Sequence, residues 1–447
     1  MGYIYNSKYE RVVKLAKQTV YVDKLTNGIL DPNEEMLGPV KDGGTIIANT
    51  APGCWGPMIT PKLKGGHEVT RPVFVEGAEI GDAIAIYIQS IVITSSVIAS
   101  GNDKTISENF NSDPFIDAKC PKCGILNPET ELIGIGEGSV RCKNCGADIS
   151  PFKFNNGYTM AFNDNKTIAL TLNETAANNA AKDAKNLMAI PDHSIQNPIV
   201  NFAPHDINGS ISRIKPFLGQ IGTTPSRALP DSHNAGDFGS FLINSTHEYA
   251  IDKEELIKHK TDGHMDINKT RAGAVVIAPV KVKGGGVYVG DAHAMQGNGE
   301  IAGHTADVAA VVTLKVKVFK NLQIDGPIII PLSDDLPYLA KPIDENEKKL
   351  AMELSKKWGV DKLENTAPIC FVGTGANLNE AIDNGLERAA QVLKISVPEV
   401  MNRATINGSI EIGRAPGTVT VTFLAPVEKL KAAGLYDLVK EQYNLLD

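Results

Sequence analysis

Four cysteines constrain this chain more tightly than any other residues. Cys120-x2-Cys123 and Cys142-x2-Cys145 are separated by 18 residues, a spacing that fits a four-thiolate zinc site. Each pair turns the chain so that both sulfurs face one ion, and two such turns complete a tetrahedron. Gly124 and Gly146, directly after each pair, permit the tight turns, and Lys119, Lys122, Arg141 and Lys143 flank the thiolates. Four thiolates leave no open coordination position, so the expected zinc is structural. A nucleic-acid-binding ribbon is the alternative, but the segment has no excess of basic residues and lacks that electrostatic footprint.

The bulk numbers agree with a soluble globular protein. The chain has 447 residues, 42% hydrophobic and 21% charged, with a net charge of −8. That sign argues against a nucleic-acid or anionic-membrane surface and suits a small or neutral ligand. No apolar run reaches the ~18 residues of a membrane span, and the first residues lack the apolar core of a signal peptide. The expectation is a cytoplasmic protein. Four of six cysteines in CxxC pairs favour metal over disulfides in such a chain.

Strand patterns dominate early and helix patterns late. Thr45–Ala48 and Ala83–Ile88 are β-type runs bounded by the turn signals Asp42-Gly43-Gly44 and Gly81-Asp82. Residues 101–115 read as a polar linker, 170–189 as a helix and 195–245 as loops. Strands return at Gly273–Val282, Val308–Phe319 and Ile328–Ile330. Asp344 with Glu347 predicts a capping box, with Leu350, Leu354 and Trp358 following at helical spacing. Asn377 with Glu380 opens a second helix, whose stripe Leu378, Ile382, Leu386, Ala389 and Leu393 reads as core. Residues 417–423 alternate as a strand, and a last helix is expected over 428–442. The pattern predicts a mainly β fold with an α+β C-terminal part. Four segments are expected: an N-terminal β part (1–110), the zinc-ribbon insert (111–155), a central β part (156–335) and the C-terminal α+β part (336–447).

Chemistry concentrates in Gly290-Asp291-Ala292-His293-Ala294-Met295-Gln296-Gly297-Asn298-Gly299-Glu300. The run is too polar and glycine-rich for ordinary core, and strand-like sequence flanks it. If extended, Asp291 and His293 point the same way and suit one shared metal ion. Glu300, beyond three turn residues, can fold back as a general base that activates water. A polar turn in which Asp and Asn cap backbone groups is the bland alternative.

Two further runs strengthen the functional reading: His67 to Asp82, and His233-Asn234-Ala235-Gly236-Asp237. With Gly219-Gln220-Ile221-Gly222-Thr223-Thr224-Pro225 and the 290–300 run, they lie in order and resemble the acetamidase/formamidase family. The last run is similar to the family's Gly-Asp-x-His-x-x-Gln-Gly-Asp-Gly-Glu. Asn298 stands where the family usually has Asp, Arg71 replaces a glycine before Pro72, and the middle run departs from Gly-Gly-Asn-x-Asp. The cysteine segment and the Ala-rich stretch after it resemble insertions. The resemblance implies hydrolysis of a small amide to a carboxylate and ammonia, a fold of β-sandwich or jelly-roll-like sheets, and a homo-oligomer (a dimer or higher).

The candidate catalytic residues are therefore Glu300, His293 and Asp291, and the candidate substrate contacts are Gln296, Asn234 and His67. Asp237, Asp291 and His293 are the candidate ligands of a second divalent ion (zinc, calcium or magnesium), with His67 as a further ligand. His205 and Asp206 sit in a polar loop that either joins the site or does not. Cys54 and Cys370 read as buried cysteines, and His247, His259 and His264 carry no acidic constellation. Two alternatives stay open: the same chemistry on a larger amide or carbamate, and a zinc-ribbon adaptor on an inactive scaffold.

Overall fold

The computed structural model describes residues 16–53, 60–136, 138–201, 205 and 207–445. Cys54 and Asp206 lie outside the described residues. The fold is mainly β with a helical C-terminal part.

A 13-stranded sheet runs through most of the chain. At its centre Ala310–Phe319 lies antiparallel between Leu37–Thr50 and Ala83–Ile93. Its side chains alternate: Val312, Leu314 and Val316 are buried, and Lys315 and Lys317 are exposed, the period-2 pattern of a half-solvated sheet. A second, four-stranded sheet orders Ile211–Arg213, Ile168–Thr171, Phe152–Phe162 and Val97–Thr105. It contributes Ile98, Met160, Phe162 and Ala169 to the same buried cluster as Ile86, Val312 and Val316 of the large sheet. Two sheets sharing one apolar core is the sandwich principle.

Phe217–Thr223 and Val287–His293 pair antiparallel at one end of the large sheet, and every residue of both is buried. At the other end, Ile328–Ile330 hands over to Thr366–Thr374, Thr418–Pro426 and Gly408–Arg414. The two ends approach each other: the Gly299 amide donates to the Gly413 carbonyl (3.1 Å) and the Ala415 amide to the Gly299 carbonyl (2.8 Å). This closure carries Arg414 to the loop that follows His293.

The expected helix starts are present. Asp344 and Glu347 form the capping box of Glu345–Trp358, and the Asn377 side chain accepts from the Glu380 amide at the start of Leu378–Leu393. On the latter, Leu386, Ala389 and Leu393 are buried core as read from the stripe. On the former, Leu350, Leu354 and Trp358 are exposed. Four local expectations differ. Residues 101–105 continue the strand Val97–Thr105, because Phe152–Phe162 offers it a backbone ladder that polar composition does not reveal. The 170–189 helix is two short ones, Glu174–Ala181 and Ala184–Met188. The last helix breaks at Gly434, whose φ of +73° no helix accommodates. The strand Phe217–Thr223 lies inside a stretch whose glycines and prolines read as loop.

Candidate active site

The cysteine cluster forms as the spacing requires. Its four sulfurs lie within 4.8 Å of one another, with Cys120–Cys145 at 3.4 Å and Cys123–Cys142 at 3.9 Å. Each knuckle closes through a backbone bond, Gly124 to the Cys120 carbonyl (2.9 Å) and Gly146 to the Cys142 carbonyl (2.8 Å). Both glycines have positive φ, +74° and +72°, a conformation costly to other residues.

The second cluster sits on the strand pair Phe217–Thr223 and Val287–His293. Register pairs Leu218 with Ala292 and Gln220 with Gly290, leaving Gly219 opposite Asp291. A Cβ at Gly219 would lie 2.4 Å from Asp266 Oδ1 and 2.5 Å from Asp291 Oδ2, so only glycine leaves room for the carboxylates here. Asp291 departs from the extended backbone assumed above, with φ of +51°. Such strain in a non-glycine residue concentrates at functional sites. The turn still brings Asp291 Oδ1 to 2.9 Å from His293 Nε2.

Two triads share Asp291: His67, His264 and Asp291, and Asp266, Asp291 and His293. His264 Nε2 is 2.9 Å from Asp266 Oδ2, His67 Nε2 is 3.5 Å from Asp291 Oδ1, and Asp307 Oδ1 approaches His293 Nε2 at 2.9 Å. The far side of each ring is held. His264 Nδ1 donates to the Ser232 carbonyl (2.7 Å), and His293 Nδ1 lies 3.2 Å from Gln296 Oε1. Ser232 Oγ and Gln220 Nε2 lie 2.8 and 2.7 Å from His67 Nδ1. Imidazoles fixed at Nδ1 with Nε2 facing a carboxylate cluster are the usual arrangement for metal ligation. Buried Asp266 Oδ1, Asp291 Oδ1 and His293 Nε2 lie close together but not in hydrogen-bonding geometry. Orphaned ligand atoms converging on one spot fit a cation.

Electrostatics point the same way. Burial disfavours the charged form of His67, but Asp291, Asp231 and Asp266 outweigh it and push the imidazole up to about 9. His293 is likewise raised despite burial, by Asp291 and Asp307. Burial opposes ionisation of Asp266, yet His264 and Arg414 hold it well below the usual carboxylate range. The pocket is thus a buried acidic field that calls for positive charge.

Glu300 behaves differently. It is buried, takes φ of +41° in the tight turn that begins at Gly297, and its Oε2 lacks a hydrogen-bond partner. Burial, then the carboxylates of Asp266 and Asp291, push its carboxyl well above the ordinary value, against His293 and Arg414. A carboxyl of raised affinity beside ionised ones is the pairing that acid–base chemistry uses.

Other expected site residues are placed elsewhere. Asp237 does not join the cation cluster: it forms a two-pronged pair with Arg414, at 2.8 and 2.6 Å. Arg414 also bonds Asp266, and it is Asp266 that lies with Asp291 and His293, while Asp237 pairs with the guanidinium that the sheet closure delivers. Asn234 is bonded within the fold. Its amide donates to Thr261 Oγ1 and Tyr288 Oη (2.8 and 3.0 Å) and its oxygen accepts from the Thr261 amide (2.7 Å). Gln296 likewise braces the site, donating to the Asp266 and Gly413 carbonyls (2.8 and 3.2 Å). His205 is described but belongs to neither triad.

His264 and Asp266 were missed by sequence reasoning, and a signal existed. His264-Met265-Asp266 mirrors Asp291-Ala292-His293 with the same two-residue step. His233, the first residue of the run through Asp237, pairs with Asp113 ahead of the cysteine cluster, Nε2 to Oδ2 2.8 Å, both fully buried. The Phe115 carbonyl accepts from Gly65 (2.8 Å), and the Gly65 carbonyl accepts from Ser232 (3.0 Å). Residues 113–115 therefore clamp the segment whose Ser232 orients both His67 and His264.

The chain is a hydrolase acting on amide C–N bonds, as the family it matches shows. Residues 44–261 and 254–430 match the model of the acetamidase/formamidase family, and the chain belongs to that family. Among solved structures it is similar to a predicted acetamidase/formamidase from Thermoanaerobacter tengcongensis, with 16% identity, 93% of this chain and 98% of that one covered, and a TM-score of 0.51. Similar structures include an acetamidase from Bacillus halodurans (16% identity, 93% and 99% covered, TM-score 0.50). Another is an acetamidase from Yersinia enterocolitica (16%, 92% and 94%, 0.50). At that identity they speak for the fold. No curated protein matches the chain. Among the described residues no helix is long and apolar enough to cross a membrane.

Proposed function

We propose that the chain hydrolyses a small linear amide, formamide- or acetamide-like, to a carboxylate and ammonia. The observation that carries this is Asp291, shared by two His/Asp triads, with a buried high-affinity carboxyl, Glu300, beside them. His67, His264 and Asp291 are the ligand set for one divalent cation, and Asp266, Asp291 and His293 for a second. A cation there supplies a Lewis acid for the amide carbonyl and lowers the pKa of water. Glu300 takes a proton from the attacking water and returns it to the leaving nitrogen, a transfer its raised affinity favours. Gln296 holds the His293 ring, and Arg414 with Asp237 holds Asp266. We read the ion of the four cysteines as zinc and its role as structural, since four thiolates fill a tetrahedral shell. The protein works as a cytoplasmic homo-oligomer in this reading.

Glu300→Gln keeps the volume and removes the titrating group. Ammonia release from formamide and acetamide should fall by about 10²–10⁴-fold with an unchanged melting temperature. Turnover equal to the parent protein would refute the role. Metal analysis of the same sample should find more ions than the cysteine cluster binds. If Cys123→Ser/Cys142→Ser removes every ion from the protein, the cation reading of the histidine centre fails.

A further inference from the structure

The helix Glu345–Trp358 has no buried side chain. Leu350, Leu354 and Trp358 are 65%, 57% and 71% exposed. Fourteen residues are marginal as a free helix in water, and such helices normally gain stability by packing an apolar face. This one presents that face outward.

Its sequence is self-complementary. Glu347, Leu350, Leu354 and Lys357 follow spacings of three, four and three, which put them on one seam. The first turn is acidic (Glu345, Glu347) and the last basic (Lys356, Lys357). In an antiparallel pair centred between Leu350 and Leu354, each Leu350 meets Leu354 of the second copy and each Glu347 meets its Lys357. A parallel pair would set like charges together. The exposed charges are mixed, without the cationic face that a membrane-binding helix carries.

We propose that this helix is a homodimer interface, pairing antiparallel with the same helix of a second copy about a two-fold axis. The two-fold makes the contact isologous and closed. It rests on the homo-oligomer of the proposed function and not on its amide chemistry.

Analytical ultracentrifugation of the full chain over a micromolar dilution series tests it. The protein should self-associate, and Leu350→Glu/Leu354→Glu should weaken the dimer about 30-fold or more while the body keeps its melting temperature. Lys357→Glu should weaken association, and adding Glu347→Lys should restore it. A parent protein monomeric throughout the series, or a double-leucine variant of unchanged mass, would overturn the interface. Tighter association of Lys357→Glu would overturn the antiparallel pairing.

Discussion

Gly219→Ala isolates the geometry of the histidine–carboxylate centre. Gly219 has an ordinary backbone conformation, so alanine is not strained there in itself. Its methyl carbon, however, would stand 2.4 Å from Asp266 Oδ1, 2.5 Å from Asp291 Oδ2 and 2.8 Å from His293 Cε1. Ordinary contacts begin near 3.4 Å, so both carboxylates must retreat by about 1 Å. Neither is free to do so: Asp266 is held by Arg414 and His264, and Asp291 sits at positive φ against His293. Overpacking of this kind costs about 1–3 kcal/mol. The functional loss should be larger, because ligand distances tolerate only about 0.2 Å and a displacement of about 1 Å costs on the order of 10²-fold in rate. The assay pairs ammonia release with metal content by mass spectrometry and a thermal melt. The expected result is a folded protein that retains the ion of its cysteine cluster but loses the others, with turnover down by about 100-fold or more. Full metal content and turnover within about twofold of the parent would refute the reasoning, because overpacking at a true ligand site cannot be silent.

Two further predictions test what surrounds the site. His304 is buried between Ser100 Oγ at Nδ1 and Asn156 Oδ1 at Nε2, both at 2.8 Å, and burial pushes it down to about 4. An unfolded His304 titrates near 6.5, so its neutral form stabilises the fold fully above that pH, and the contribution is lost as pH falls from about 6.5 to 4. The loss amounts to about 3 kcal/mol at 1.36 kcal/mol per pH unit. The stability difference between parent and His304→Gln in urea melts should shrink or reverse over that window, and a difference independent of pH contradicts the assignment. Asp113→Ala leaves His233 Nε2 buried without its hydrogen-bond partner, a change expected to cost about 1–3 kcal/mol. Through Ser232 it should also weaken cation binding at His67 and His264 while the cysteine ion stays, and isothermal titration with a divalent metal reads this directly. Unchanged affinity would mean that residues 113–115 do not position the centre.

Local chemistry was legible wherever a few adjacent residues define it. The two CxxC pairs close on themselves because each knuckle needs only its own glycine and backbone. The capping box at Asp344, the Asn377 cap, the stripe at 378–393 and the alternating strand at 417–423 are likewise encoded within a turn or two. The 290–300 run announced polar function for the same reason: glycines and ionisable groups are too costly to place there by chance in a buried strand.

What remained hidden depended on partners far along the chain. Asp237 and Asp266 carry the same side chain and both pair with Arg414, 177 and 148 residues away, and nothing local tells that only Asp266 also reaches the histidine cluster. His264 looked unpartnered because Ser232 and Asp291 reach it from segments far along the chain. The exposed stripe of Glu345–Trp358 and the buried stripe of Leu378–Leu393 are similar as patterns, and only packing separates them. Sequence alone determined the family, the mainly β architecture and the groups able to do chemistry, since these follow from spacing and composition. Tertiary structure decided which carboxylates converge, because burial and the closure of the large sheet set the field that each one feels.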